Sequence, residues 1–208
     1  MAIAKKKKKF IDVPIHIIGK ETQLLAYSTA ELDKKFIKYD LSRILRGKNA
    51  EIVLVVKVDG EKITTSPKKF RLMPYFIRRM IRKGTNYVED SFLAECKNAQ
   101  LRIKPFLITR KKVHRSVRKE LRRKAKEEII KYIKNIKSDD IFEDVVKGKL
   151  QKPLSLKLKK VYPLSLCEIR VLEVTKEINE EDNKEIKQSN VKEEKTNETS
   201  ENQLITEE

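Results

Sequence analysis

The feature that most constrains the fold is a run of apolar residues, Ile52 to Val56, followed by Val58 and then by Asp59-Gly60. Both faces of an extended chain would be apolar here, which predicts a strand inside a sheet rather than at its edge. Asp-Gly is the strongest short signal for a hairpin turn, and Ile63-Thr64-Thr65 supplies the returning strand. We therefore expect an antiparallel sheet built around this hairpin.

Other segments extend the predicted sheet. A second pair of strands turns at Lys97-Asn98-Ala99, with one strand from Tyr87 to Cys96 and the other from Gln100 to Thr109. Pro105 requires an edge or a bulge in the latter strand, because proline cannot donate to a ladder. The remaining predicted strands are Phe10 to Ile18 and Leu166 to Val174.

Helical patterns are concentrated in the second half of the chain. Apolar residues recur every four positions from Val113 to Ile133, which predicts one long helix ending near Lys137. The other predicted helices are Tyr75 to Lys83 between Pro74 and Gly84, Ser138 to Val146 before Gly148, and Ser155 to Val161. Strands dominate early and helices late, so the expected class is α+β, with an antiparallel sheet or barrel-like core flanked by helices.

An uneven distribution of charge divides the chain into three parts. The chain has 49 Lys or Arg and 31 Asp or Glu, a net charge of +18, yet residues 176–208 hold 5 Lys and 11 acidic residues. That segment has no aromatic residue, Gly or Pro, so it cannot bury enough apolar surface to offset its ordering entropy. The predicted organisation is a basic arm over 1–9, a basic domain over 10–175 and a disordered acidic tail over 176–208.

The strongest functional signal is the segment from Arg110 to Lys126, in which ten of 17 residues are basic and Glu120 is the only acid. On a helix, Arg115, Arg118, Lys119 and Arg122 form one stripe opposite the apolar seam. Like charges at this spacing destabilise a helix, so the pattern favours phosphates as the missing counter-charge over a merely solvated face.

Two more basic segments accompany it. Lys68, Lys69, Arg71, Arg78, Arg79, Arg82 and Lys83 follow one another with no acid between them, and five lysines run from Lys5 to Lys9. Tyr75 and Phe76 lie inside the first of these, where a ring could stack on an unpaired base. The better interpretation makes Phe76 a core residue and Tyr75 a half-buried surface residue, because the helix needs an apolar face. The lysine arm is either a nucleic-acid contact or a solvated terminus.

Lysine outnumbers arginine by 36 to 13, which suits neutralisation of a phosphate backbone better than reading of bases.

Enzyme signatures are missing from the sequence. His16 falls in a predicted apolar strand as a structural histidine, and His114 would add a phosphate contact within the basic helix. Cys96 and Cys167 are expected to be core thiols of a protein in a reducing compartment. No phosphate-binding loop, nucleophile motif, metal-ligand spacing, secretory signal or membrane-spanning run is found, so we expect no catalytic residue, metal or cofactor.

Four blocks follow one another in a recognisable order: the lysine arm leading into Phe10-Ile11-Asp12-Val13-Pro14, the paired strands around Val55 and Phe92, the basic helix from Arg110, and Val161-Tyr162-Pro163-Leu164 leading into Glu168-Ile169-Arg170. This order resembles the archaeal and eukaryotic "S-three-A" family of small ribosomal subunit proteins, also called the eukaryotic-type S-one family. The similarity covers most of residues 5–174. The acidic tail is not part of the common pattern.

The resemblance implies a structural RNA-binding protein on the platform of the small subunit, near the messenger exit, without cofactor or catalytic role. Its expected partners are small-subunit rRNA and neighbouring ribosomal proteins, with no membrane and no small-molecule substrate, in the cytoplasm. The alternatives are an RNA-processing or modifying enzyme with an unrecognised site and a basic adaptor at an anionic membrane surface. The candidate rRNA-binding residues are Lys5, Lys6, Lys7, Lys8, Lys9, Arg78, Arg79, Arg82, Arg110, Lys111, Lys112, Arg115, Arg118, Lys119, Arg122 and Arg123.

Overall fold

The computed structural model describes residues 7–45, 47–60 and 62–177. Strands make up most of the chain as far as Thr109, and three successive helices lie between Arg115 and Leu158, which is the α+β arrangement expected from the sequence. The strands are β1 (Lys9–Ile15), β2 (Lys20–Ala26), β3 (Phe36–Asp40), β4 (Ala50–Asp59), β5 (Lys62–Leu72), β6 (Tyr87–Glu89), β7 (Phe92–Glu95), β8 (Ala99–Thr109) and β9 (Leu164–Glu177). The helices are α1 (Pro74–Met80), α2 (Arg115–Ile133), α3 (Ser138–Lys147) and α4 (Gln151–Leu158), with a 3₁₀ turn at Thr29–Leu32.

Two antiparallel sheets form the body of the protein. The larger sheet has the strand order β3-β4-β5-β9-β8-β6, with β7 also paired to β8, and β1 and β2 form a separate two-stranded sheet. In the described part of the chain, the core is therefore an open antiparallel sheet rather than a barrel. Helices α3 and α4 pack on β9, whereas α2 packs on β6, β7 and α4.

The central hairpin has the predicted position. β4 pairs with β3 on one side and β5 on the other, and Gly60 takes a positive φ of 64° in the turn between β4 and β5. Ile52, Leu54 and Val56 are fully buried, whereas Val53 and Val55 on the other face are half-buried. The apolar run thus identified a central strand, although its second face is only partly covered.

The second predicted pair of strands is also present, with a break. The segment from Tyr87 to Cys96 is interrupted at Asp90-Ser91, so two short strands, β6 and β7, pair with successive parts of β8. Pro105 lies opposite this break and at a register shift against β9. The proline is accommodated at a bulge within the sheet, one of the two solutions that its missing N–H allows.

Helix boundaries were predicted less well. α1 ends at Met80 rather than Lys83, and α2 covers only Arg115–Ile133, so Val113 precedes it. α4 begins at Gln151 and ends at Leu158, although Ser155 to Val161 was expected to be the helix. Pro153 weakens the helical signal at the start of α4, which depends on the burial of Leu154 and Leu158.

Several parts of the N-terminal half were not expected. β2 and β3 were not predicted because Lys20–Ala26 and Phe36–Asp40 show only weak apolar alternation. β1 ends at Ile15, so His16 lies exposed in the following turn instead of inside a strand. The predicted acidic tail falls almost entirely outside the described residues, and β9 runs to Glu177.

The cysteine thiols provide a test of the core. Cys96 and Cys167 are both buried, and burial together with the neighbouring Glu168 carboxylate raises the pKa of Cys167 to about 12. A raised thiol pKa keeps the neutral form, so at pH 8 only about one molecule in ten thousand carries the reactive thiolate at Cys167. We expect alkylation at pH 8, mapped by peptide mass, to label Cys167 slowly in the folded protein and rapidly in urea. Labelling at equal rates in both states would contradict its position in β9.

Candidate nucleic-acid interface

Helix α2 has one apolar face and one basic face. Leu121, Ala125, Ile129 and Ile133 are at most 1% exposed and fix the helix against β6, β7 and α4. This four-residue repeat is the seam read from the sequence, and it directs the basic side chains to the other side of the helix.

Part of the basic charge on α2 is neutralised within the helix. Arg123 forms ion pairs with Glu120 at 2.6 Å and with Glu127 at 2.7 Å, and Lys124 lies 3.5 Å from Glu120. The hydrogen bond from Arg123 lowers the pKa of Glu120, and the two carboxylates raise the pKa of Arg123. Arg123 therefore has its counter-charge inside the protein, which weakens its case as a phosphate contact. Glu127 lies one residue beyond the basic window, and its spacing of four from Arg123 was the signal to find it.

The N-terminal half of α2 is different. Among the described residues, Arg115, Arg118, Lys119 and Arg122 have no acidic side chain within ion-pair distance. Arg115, Lys119 and Arg122 are exposed, and the Nε of Arg122 donates to the carbonyl oxygen of Glu89 at 3.1 Å. Arg118 is half-buried, and its buried Nε finds no hydrogen-bond partner in the described part of the chain.

Arg115 and Arg118 also lie near the positive end of the dipole of their own helix. No acidic residue lies in the first turn of α2, and His114, the exposed residue before it, makes no side-chain capping bond. A helix N-terminus carries partial positive charge, so cations there are disfavoured while an anion is stabilised. Repulsion between neighbouring cations adds to this cost. A bound phosphate would relieve both.

A buried threonine joins this region to the first basic segment. Thr109, the last residue of β8, is fully buried, and its hydroxyl lies 3.0 Å from both the backbone nitrogen and the carbonyl oxygen of Asn86. The same hydroxyl lies 2.7 Å from the carbonyl oxygen of Lys111, and the Asn86 side chain accepts from the backbone nitrogen of Val113 at 2.8 Å. We call these bonds the Thr109–Asn86 clamp.

The clamp brings two distant parts of the sequence together. The exposed residues Arg82 and Lys83 lie shortly before Asn86, and the exposed residues Arg110, Lys111 and Lys112 lie between Thr109 and α2. Basic segments that are separated by 26 residues in the chain therefore meet at one place. Neither Asn86 nor Thr109 was recognised in the sequence, because a short polar residue at a strand end has no distinctive pattern.

Within the described residues of the folded protein, some members of the first basic segment have acidic partners and others do not. Lys69 pairs with Glu173 on the adjacent strand at 3.2 Å, and Lys68 lies 4.0 Å from Glu177. The sequence showed no acid nearby, since these partners lie more than 100 residues away along the chain.

Arg78 and Arg79 on α1 are exposed, as is Arg82 beyond its end. Arg79 lies over the ring of Phe76, with 5.6 Å from its guanidinium carbon to the ring centroid, and donates to Asn49 at 3.4 Å. Phe76 is buried as expected, whereas Tyr75 is 47% exposed.

The lysine arm is described only from Lys7, so Lys5 and Lys6 lie outside the described residues. Lys7, Lys8 and Lys9 are exposed at the start of β1, and the Lys8 ammonium lies 5.3 Å from the ring centroid of Tyr27. In the described residues, no group of three or more His, Cys, Asp or Glu side chains is placed to hold a metal ion. No helix of this part of the chain has the length and apolar character needed to cross a membrane.

The family follows from comparison with known proteins. The model of the Ribosomal S3Ae family matches residues 6–178 of the 208. The chain belongs to the Ribosomal S3Ae family. The resemblance seen in the order of the sequence blocks is thereby confirmed, and the match ends one residue after β9.

Curated archaeal proteins named small ribosomal subunit protein eS1 are similar to this chain. The protein of Methanothermobacter thermautotrophicus is 30% identical over 120 residues, which cover 56% of this chain and 62% of that protein. The protein of Nanoarchaeum equitans is 25% identical over 57% of this chain and 61% of its own length. That of Saccharolobus islandicus is 28% identical over 59% of each chain. The chain thus spans about three fifths of the length of the relatives it matches.

The Thr109–Asn86 clamp leads to a stability prediction. Thr109→Val keeps the side-chain shape but removes the acceptor of the Asn86 N–H and the hydroxyl beside the Lys111 carbonyl oxygen, so we expect a loss of about 1–3 kcal/mol in the free energy of unfolding. Thr64→Val is the matched control, because the Thr64 hydroxyl makes only an exposed bond of 3.3 Å to Lys57. The control should change stability by no more than about 0.5 kcal/mol in urea unfolding. Equal effects of the two substitutions would argue against the clamp.

Proposed function

We propose that this chain is a structural protein of the small ribosomal subunit that binds the backbone of ribosomal RNA. The observation that carries the proposal is the cluster of cations around the start of α2 that lack counter-charges within the described part of the protein. Repulsion between the cations and the helix dipole both disfavour this cluster in isolation, and bound phosphates would offset both costs. The names of the archaeal relatives support the ribosome as the place where that RNA is found.

The basic residues do not contribute equally to the proposed RNA contact. The cluster at the clamp and α2 forms the principal contact, and the exposed arginines of α1 and the lysine arm extend it. Arg123 contributes less, because Glu120 and Glu127 already compensate its charge. The principal contact consists of Arg82, Arg110, Lys111, Lys112, Arg115, Arg118, Lys119 and Arg122.

The proposed recognition is of phosphate rather than of sequence. Lysine dominates the basic residues, and its ammonium acts as a point charge that neutralises phosphate in any sequence context. The arginines of the cluster can grip phosphate with two hydrogen bonds each, which fixes the orientation of the protein on its RNA. Within the subunit, neighbouring ribosomal proteins are the further partners we propose, at the platform of the small subunit in the cytoplasm.

The role proposed here is structural rather than enzymatic. An RNA-processing or modifying enzyme is the alternative considered from the sequence, and family membership favours the structural role. Incubation of labelled RNA with purified protein and magnesium distinguishes the two. Turnover abolished by a point substitution would support the enzyme.

Salt dependence tests the proposed contact. About eight phosphate contacts give a slope of log affinity against log salt of roughly −6 to −7. Lys119→Gln removes one contact, so we expect the slope to become shallower by about one. Lys147→Gln is the matched control, since Lys147 is an exposed lysine of α3 that pairs with Glu143 of the same helix and is not part of the proposed contact.

The measurement uses the full chain and fragments of small-subunit rRNA, with binding followed by fluorescence anisotropy across a salt series. Lys147→Gln should leave the slope within error of the unmodified protein. A slope near −1 for the unmodified protein would overturn backbone neutralisation. The same change for both variants would overturn the assignment to α2.

A further inference from the structure

The β1–β2 hairpin carries an exposed apolar group on its outer face. Phe10 is 72% exposed, Tyr27 51% and Leu25 49%. Phe10 and Leu25 are directly opposite each other in the register of the two strands, and Tyr27 lies two residues beyond Leu25. Tyr27 is the first residue after β2, and the Lys8 ammonium, two residues before Phe10, lies 5.3 Å from the Tyr27 ring centroid, so the three exposed side chains lie at one end of the hairpin.

This exposure is not required by the folding of the hairpin. Val13, Ile15 and Ala26 on the other face are at most 1% exposed, and the hairpin is tied to the larger sheet where the Thr65 hydroxyl donates to the Pro14 carbonyl oxygen at 2.8 Å. The hairpin therefore already has a buried face. A second apolar face in water is a feature that a binding partner would explain.

Charge is separated along the outer face. The end that carries the two rings begins at the exposed residues Lys7, Lys8 and Lys9, whereas the exposed Asp12 follows Phe10 on the same face and Glu21 lies next to the turn. The Lys8 ammonium is 5.3 Å from the Tyr27 ring centroid, so one cation lies against an exposed ring. A ligand at this end would meet flat aromatic surface and positive charge together.

The backbone around Tyr27 is fixed by local bonds. The Glu31 carboxylate accepts from the backbone nitrogen of Tyr27 and from the Lys35 ammonium, both at 2.9 Å. The bond from Tyr27 and the partner Lys35 both lower the pKa of Glu31, so the carboxylate stays ionised and paired. Its charge is thus compensated and does not oppose an anion beside the ring.

We propose that Phe10 and Tyr27 form a stacking platform for two unpaired nucleotides of RNA. Both rings are exposed at the same end of the hairpin, where successive bases of a single strand can each meet a flat surface. Every base has a flat face, so stacking is tolerant of sequence, while Lys7, Lys8 and Lys9 neutralise the phosphates. The platform rests on the proposed function, since it adds a contact to single-stranded RNA beside the phosphate contact at α2.

The charge pattern favours RNA over a protein on this surface. A protein partner would have to bring acidic side chains to the lysines and an apolar patch to the rings. A single-stranded nucleic acid has both features in each nucleotide. Protein docking is one of the outcomes that the experiment below separates.

The test compares single-stranded and double-stranded RNA on the full chain. Phe10→Ala and Tyr27→Ala should each weaken binding of a ten-nucleotide uridine strand by about ten-fold and leave binding of a 20-base-pair duplex unchanged. Phe10→Tyr and Tyr27→Phe keep the rings and should retain affinity. Leu156→Ala is the matched control, since Leu156 is an apolar residue of α4 that is 69% exposed and distant in sequence from the hairpin.

A spectroscopic readout avoids dependence on the alanine variants. The chain has no Trp, so Tyr27→Trp introduces a single indole that a stacked base should quench. An abasic ribose-phosphate strand of the same length should bind more weakly than the uridine strand and give no quenching.

Each outcome has a distinct meaning. Unchanged single-strand affinity in the alanine variants, with no quenching of the indole, would overturn the platform and leave this face to a protein partner, while duplex binding would still support the proposed function. Loss of duplex and single-strand binding by the unmodified protein would instead overturn the proposed function itself.

Discussion

The fold depends on the pairing of β9 with both halves of the sheet. β9 lies between β5 and β8, so it joins the hairpin built around β4 to the strands built around β8. Arg71 and Val171 are partners across one of these junctions although 100 residues separate them. Such long-range pairing closes large loops and is slow to form, so the larger sheet is completed only when the C-terminal part of the domain is present.

The backbone of the candidate interface is held in place by this arrangement of strands. β8 is held by β9 on one side and by β6 and β7 on the other, and it ends at Thr109, whose hydroxyl binds the loop before β6 and the loop before α2. The apolar face of α2 packs on β6 and β7. The exposed cations of α2 and of both loops therefore belong to one packed unit, so a phosphate contact would have to order their side chains but not their backbone.

The sequence predicted those features of the fold that have a local physical cause. The apolar run of β4, the Asp59-Gly60 turn and the seam of α2 each follow from patterns within a few residues. β2 and β3 lack such patterns, and the start of α4 depends on Leu154 and Leu158 packing against distant elements. The same division applies to the interface, where the basic residues were identified but the partners of Lys68 and Lys69, which come from β9, were not.

Charge pairing decides which basic residues remain available to a partner. Arg123 and Lys119 are both exposed cations on α2, and composition alone does not distinguish them. Arg123 lies between two carboxylates at helical spacing, so another anion would compete with a counter-charge already in place. Lys119 has no such carboxylate among the described residues, and a phosphate would meet an uncompensated ammonium there. The net charge of +18 therefore measures the attraction to a polyanion less well than the number and position of cations that the fold leaves unpaired.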